Sequence, residues 1–199
     1  MKGSRAKRRR RSPAARIRPF WILITFTVAL VAVGAGFAVT WPGFDPKSIR
    51  VSGNHRVAAS EILAKAAIAP RTSIWVQNTR AMAKRIGSIP DIESVKVGRI
   101  PPAAIRIHVT ERIPYAELRS GANDAVADRA MRVLSYDAEQ KLPIFVLRPG
   151  LELTPGTFVT SSDALSLRDA YSALLERGFA PVQLELDRYD GLEVTLQTG

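Results

Sequence analysis

Between Pro19 and Phe44 the chain carries no charged residue, and its centre, Phe20 to Trp41, is almost wholly apolar. As a helix, those residues rise about 33 Å at roughly 1.5 Å each, enough to cross a bilayer core. Trp21 and Trp41 sit near the two ends, where amphipathic rings favour the headgroup zone. Nine of the 29 Lys/Arg precede the run: Lys2, Arg5, Lys7, Arg8, Arg9, Arg10, Arg11, Arg16 and Arg18. None of the 18 Asp/Glu does, so the tail carries +9 and everything after the run only +2. Basic flanks are held on the cytoplasmic side of a span. The expectation is an N-terminus inside, a single span anchored by Phe20, Trp21 and Trp41, and residues 45–199 outside, with Lys7 to Arg11 as the main topogenic charges.

A cleaved signal peptide also begins with a basic stretch and an apolar run, and Gly36-Phe37-Ala38 offers small residues at cleavage-like spacing. The run exceeds the roughly 7–15 residues of a signal core, which favours a retained anchor. Nucleic-acid binding by the tail is disfavoured, because no aromatic residue is interleaved before Phe20 to stack on bases. Anionic lipid is the expected partner of those charges. Ala32/Gly36 and Gly34/Ala38 have the spacing that lets two helices approach, but an alanine-rich span produces such matches by chance.

The part after the run must be held by its own apolar cores, since cysteine is absent and disulfides and thiolate chemistry with it. About 155 residues suffice for one or two small domains. Ile49 and Val51 alternate with polar neighbours as a short strand, ended by Gly53-Asn54. Ser60 is read as the cap of a helix over Glu61–Ala67, and a second helix is expected over Thr79–Ile86. Val95 and Val97 mark another strand, Pro101-Pro102 a turn, and Ile105, Ile107 and Val109 a third strand with Arg106 and His108 facing out. The sum is strand–helix–helix–strand–strand, an α+β unit with two helices over one face of a small sheet.

The spaced residues Ile49-x-Val51-x-Gly53-Asn54, Pro90-x-Ile92-x-x-Val95-x-Val97-x-Arg99-x-x-Pro102 and Ile105-x-Ile107-x-Val109-x-Glu111-Arg112-x-Pro114 resemble a POTRA domain. With the basic tail and single span ahead of it, the whole chain resembles the FtsQ/DivIB family of bacterial cell-division proteins. The resemblance implies a tail over 1–18, a transmembrane helix over 19–41, a POTRA domain over 44–112 and a β-rich domain over 113–199. It implies Gly53, Asn54, Pro90, Arg99, Pro102, Glu111, Arg112 and Pro114 as the structural motif, with Glu111 and Arg112 read as a pair closing the domain.

In the remainder, Ser120 to Asp124 form a turn cluster, and Ala130 stands where the family usually has glycine. Leu142-Pro143-Ile144-Phe145 matches a family pattern. Ser161 or Ser162 caps a helix over Asp163–Arg177 with Leu167, Ala170, Tyr171, Leu174 and Leu175 as its apolar stripe, stopped by Gly178. Leu184 and Leu186 lie on one strand, Leu192, Val194 and Leu196 on another, with Asp190-Gly191 between them as a hairpin turn.

Enzyme chemistry finds little footing. There is no nucleophile elbow, phosphate loop or zinc-protease motif. Asp187 and Asp190 beside Glu185 and Glu193 read better as strand faces and turn chemistry than as a cation site. No catalytic residue, metal or cofactor is expected. The resemblance implies a non-enzymatic divisome scaffold in the cytoplasmic membrane, concentrated at the septum. It would recruit or regulate septal cell-wall synthesis through partners of the FtsB/FtsL type and an FtsW/FtsI-type synthase. The alternative is a POTRA-bearing polypeptide translocation or envelope-assembly factor. The family continues past the Leu184–Gln197 hairpin. The resemblance therefore also implies that this chain lacks the later docking strands, binds the coiled-coil partner poorly and self-associates through its last strand.

Overall fold

The computed structural model describes residues 14–135 and 141–196. Its first element, α1 (Ala14–Thr40), has its apolar side chains exposed along the stretch Phe20–Phe37, which is apolar enough to cross a membrane and has no part buried against the protein. Phe20 and Trp21 are about 60% exposed and Trp41 rather less. An apolar helix exposed all round needs an apolar solvent. A short 3-10 turn over Pro42–Phe44 leads out of it. Lys7 to Arg11 lie outside the described residues.

The first folded unit runs β1 (Ser48–Ser52), α2 (Ala59–Ala66), α3 (Thr79–Ile86), β2 (Ile92–Ile100), β3 (Ala104–Glu111). The sheet order is β1-β3-β2, with β1 parallel and β2 antiparallel to the central β3. The alternation on β3 sends Ile105, Ile107 and Val109 inward, each at most 1% exposed, and leaves Arg106 and His108 exposed. Ile62 and Ala66 of α2 and Met82 and Ile86 of α3 close the core from the other side. The α3 cap is Asn78, whose Oδ1 accepts from Ala81 N at 3.0 Å. The expected Ser60 cap is not formed. The helix starts two residues earlier than expected, at Ala59, after an extended Ala58 with no side-chain cap. Burying Val57 sets that entry point, so packing overrides the local capping preference.

The second unit is a five-stranded mixed sheet built on β4 (Pro114–Ser120), β5 (Asn123–Asp128), β6 (Ile144–Leu147), β7 (Pro181–Leu186) and β8 (Leu192–Leu196). Its order is β5-β4-β6-β7-β8, with β6 parallel to both neighbours. The helix α4 (Ser162–Glu176) is capped by Ser161 and covers the sheet through Ala164 and Leu167. Leu175 departs from the expected stripe and is 43% exposed, while Ala164, one turn earlier than the stripe began, is fully buried. At the far end Gly178, at φ +83, and Phe179 N, donating to Leu174 O at 3.0 Å, complete a left-handed stop.

The core of this unit, around Leu118, Phe145, Leu167 and Leu184, is separate from that of the first. Tyr171 of α4 packs edge to face on Tyr115 and Phe145 of the sheet, which also meet edge to face, and the Tyr115 hydroxyl meets Ser172 Oγ at 2.8 Å.

Candidate interaction surfaces

Glu111, the last residue of β3, reaches back across the first unit. Its carboxylate accepts from the backbone N–H groups of His55 at 2.7 Å, Arg56 at 3.0 Å and Val57 at 2.9 Å. It thereby pins the loop between β1 and α2. Gly53 and Asn54 start that loop. Gly53 has φ +85, and Asn54 Nδ2 donates to Val57 O at 3.1 Å. Burial pushes the Glu111 carboxyl up, but the Arg56, Val57 and His55 amides, with the His55 ring nearby, outweigh it and hold it below the ordinary 4.5.

A depressed folded pKa means stability that is fully present above about 4.5 and is lost as pH falls through the lowered value. Acid unfolding of the wild type should therefore include a Glu111 component that Glu111→Gln removes. At neutral pH the same substitution should cost about 1–2 kcal/mol, the scale of hydrogen bonds to a partly exposed charge. Equal acid sensitivity of both proteins in a pH series of melts would sink the assignment.

Arg112, next in sequence, points the other way. Its guanidinium pairs with Asp128 of β5 at 2.5 Å, both side chains largely buried, while its backbone N–H donates to Asp91 O at 2.8 Å. The Glu-Arg pair is thus divided in function: Glu111 binds the first unit's own loop, and Arg112 binds the second unit.

Asp91, which the spacing pattern passed over as an unspecified residue after Pro90, is 5% exposed. Its carboxylate accepts from Ser135 N at 2.7 Å and from the Ser135 hydroxyl. Asp128 also accepts from Arg132 N at 2.9 Å. The junction between the units is therefore held by two buried carboxylates, one from each side. A cleft of about 550 Å³ opens beside it, lined by Arg112, Ile113, Pro114 and Tyr115, among others.

The turn at Ala130 needs no glycine, because the residue with positive φ is its neighbour Met131, at +60 and fully buried. Pro102 follows a cis peptide bond between the strands β2 and β3. Arg99 leaves β2 to donate to Ile74 O and Gln77 O, both at 2.6 Å, fastening the loop between α2 and α3.

The outer face of the first sheet is basic. Arg50 lies beside Arg106 in the register, and His108 lies beside Lys96. Asp187 behaves as turn chemistry. It accepts from Tyr189 N at 2.7 Å and Gly191 N at 2.8 Å, and Asp190, at φ +63, pairs with Arg148. Among the described residues no group of acids and histidines is arranged to hold a metal ion.

Open sheet edges are the remaining candidates. β5 is partly covered by the segment after it, through Leu134 N to Val126 O at 2.8 Å and the Ala127–Val133 bridge. β8 pairs with β7 on one side, and among the described residues no strand pairs with its other side. Leu192 and Leu196 are 44% and 46% exposed along it. An open edge with few charges is a template for strand addition.

Residues 44–112 match the family model for the FtsQ-type POTRA domain. The chain is 32% identical over 94 residues to the cell division protein FtsQ of Mycobacterium tuberculosis, an alignment spanning 47% of this chain and 30% of that protein. It is 27% identical over 117 residues to FtsQ of Rhizobium meliloti, spanning 57% and 38%. Against the cell division protein DivIB of Geobacillus kaustophilus it is 36% identical over 69 residues, spanning 34% and 26%. The chain thus matches about a third of the length of these relatives.

Proposed function

The chain belongs to the FtsQ/DivIB family, and from that premise we propose that it serves bacterial cell division as a non-enzymatic scaffold of the cytoplasmic membrane. On this reading it recruits or regulates septal cell-wall synthesis proteins by contact. Its parts are the basic tail (1–18), the span (19–41), the POTRA domain (44–112) and the β-rich domain (113–199). The observation that carries the reading is the FtsQ-type POTRA match over 44–112 directly after a helix of membrane-crossing length. A fluorescent fusion should form midcell bands in dividing cells. A uniform envelope signal together with a secretion defect would replace this reading with polypeptide translocation.

The +9 tail supports an orientation with the N-terminus in the cytoplasm and residues 45–199 outside. Protease added to spheroplasts should digest residues 45–199 and spare the tail, and neutralising Lys7 to Arg11 should mix the two orientations. Protection of the C-terminal part would overturn it.

Although the resemblance by itself implies poor binding of the coiled-coil partner, the β8 edge, open among the described residues, supports docking of an FtsB/FtsL-type partner by strand addition, with backbone hydrogen bonds as the attachment. A photocrosslinking residue at Leu192 or Leu196 should capture that partner in cells. Capture only from Lys96 on β2 would move the docking site to the POTRA sheet.

A further inference from the structure

Two large apolar side chains stand on the surface of the first unit where its own core cannot use them. Trp75 and Val76 are 49% and 50% exposed, although their neighbours Ile74 and Gln77 are buried. The loop that carries them is fixed. Ile74 N donates to Phe44 O at 2.9 Å, Arg99 holds the carbonyls of Ile74 and Gln77, and Gln77 Nε2 donates to Ala69 O and Thr72 O at 2.9 Å. With Ile74 locked into the core, the next two residues have to point outward. The exposure is built in by at least five hydrogen bonds around the loop rather than left by chance.

The place of this loop is fixed relative to the end of α1. Phe37, the last residue of the membrane-length apolar stretch, stacks on Trp41 with ring centroids 6.0 Å apart. Trp41 meets Phe44 edge-on at 4.8 Å, and Phe44 meets Trp75 edge-on at 6.4 Å. Trp75 is therefore two ring contacts from a tryptophan at the membrane end of the span. The headgroup layer on each side of a bilayer is about 5–8 Å thick, and tryptophan and tyrosine rings concentrate there. From residue 67 to residue 78 the loop has no acidic residue, and Arg71 lies exposed within it. That charge balance suits a lipid surface.

We infer that the Trp75–Val76 loop is a second membrane contact: it seats in the headgroup layer of the outer leaflet and holds the POTRA domain against the bilayer. The occupant is lipid because the same chain crosses the membrane at Trp41. The inference rests on the single-span reading above. Its consequence is orientational. With both α1 and the loop in contact, the basic face of the sheet and the open edge of β8 are presented at a set angle to the membrane instead of swinging on a free tether.

The test uses the full chain, which has three tryptophans, Trp21, Trp41 and Trp75. Two variants each keep one: W21F/W41F leaves Trp75, and W41F/W75F leaves Trp21. Both are reconstituted into vesicles of phosphatidylethanolamine and phosphatidylglycerol with acyl chains brominated close to the headgroup. Emission from both variants should be quenched to a comparable fraction, and Trp75 should be blue-shifted relative to the same protein unfolded in urea. Quenching of Trp21 alone would overturn the second contact and leave the span intact. A blue-shifted Trp75 without bromine quenching would mean that protein, such as a second copy of this chain, covers the loop, and would overturn it equally. Loss of quenching in both variants would overturn the span and the inference together, as would quenching of Trp75 alone.

Discussion

Ile107→Asp should unfold the POTRA unit. Ile107 is fully buried on the central strand β3, beside Val51 of β1 and Val97 of β2 in the register. A carboxylate there has no cation within its apolar surroundings and loses its hydration. The substitution also removes a central apolar side chain from the core shared by the sheet, α2 and α3. The cost should be roughly 5 kcal/mol, comparable with the whole stability of a unit this size. Arg106→Asp, one residue away, should shift stability by less than about 0.5 kcal/mol. Its side chain is exposed and lies among Arg50 and Lys96 on a face of like charge, which an acid relieves. Amide hydrogen exchange of β1, β2 and β3 in the membrane-inserted protein separates the two outcomes. Equal damage from both variants would refute the strand's assigned facing.

Gly53→Ala should be the most damaging glycine-to-alanine change among the described residues. At φ +85 an L side chain is strained, and a Cβ built there would lie 2.1 Å from Val109 O. That oxygen belongs to the backbone of β3, so relief requires β1 and β3 to part. We expect a loss of about 3 kcal/mol or more, from strain together with the displaced ladder. Gly98→Ala makes the contrasting control. It sits on the solvent face of β2 beside Arg106, and a Cβ there meets nothing within 4 Å. Restricting the unfolded chain should make this change neutral or stabilising by up to about 1 kcal/mol. Thermal melts of the two variants in one detergent check the pair. A smaller loss from Gly53→Ala than from Gly98→Ala would show that the β1 exit does not need its left-handed residue.

Much of this protein follows from its sequence because the relevant signals are local. The α1 helix needs only an uninterrupted apolar run, the β3 facing only alternation, and α3 only Met82 and Ile86 spaced one turn apart. Glycine at 53 and proline at 102 punctuate the chain wherever they are placed. These features depend on neighbours within a few residues, so the order strand–helix–helix–strand–strand and the α+β class were legible without coordinates.

Other features required distant segments to meet. The helix α2 starts at Ala59 instead of after a Ser60 cap because Val57 is drawn into the core. Leu175 faces solvent, and Ala164 takes the buried place, because the sheet that α4 covers sets the helix's rotation. The left-handed residue near Ala130 proves to be Met131, whose side chain the second core encloses. Glu111 and Arg112 are adjacent in sequence, yet one caps a loop more than fifty residues upstream and the other crosses to Asp128. Asp91 becomes a junction residue only when Ser135 arrives beside it. Trp75 is one more aromatic residue in a loop until Phe44 and Trp41 place it at the end of the span. Apolar periodicity specifies which face of an element is buried. What that face is buried against, and which charges meet across the gap, is decided by the packing of the assembled chain.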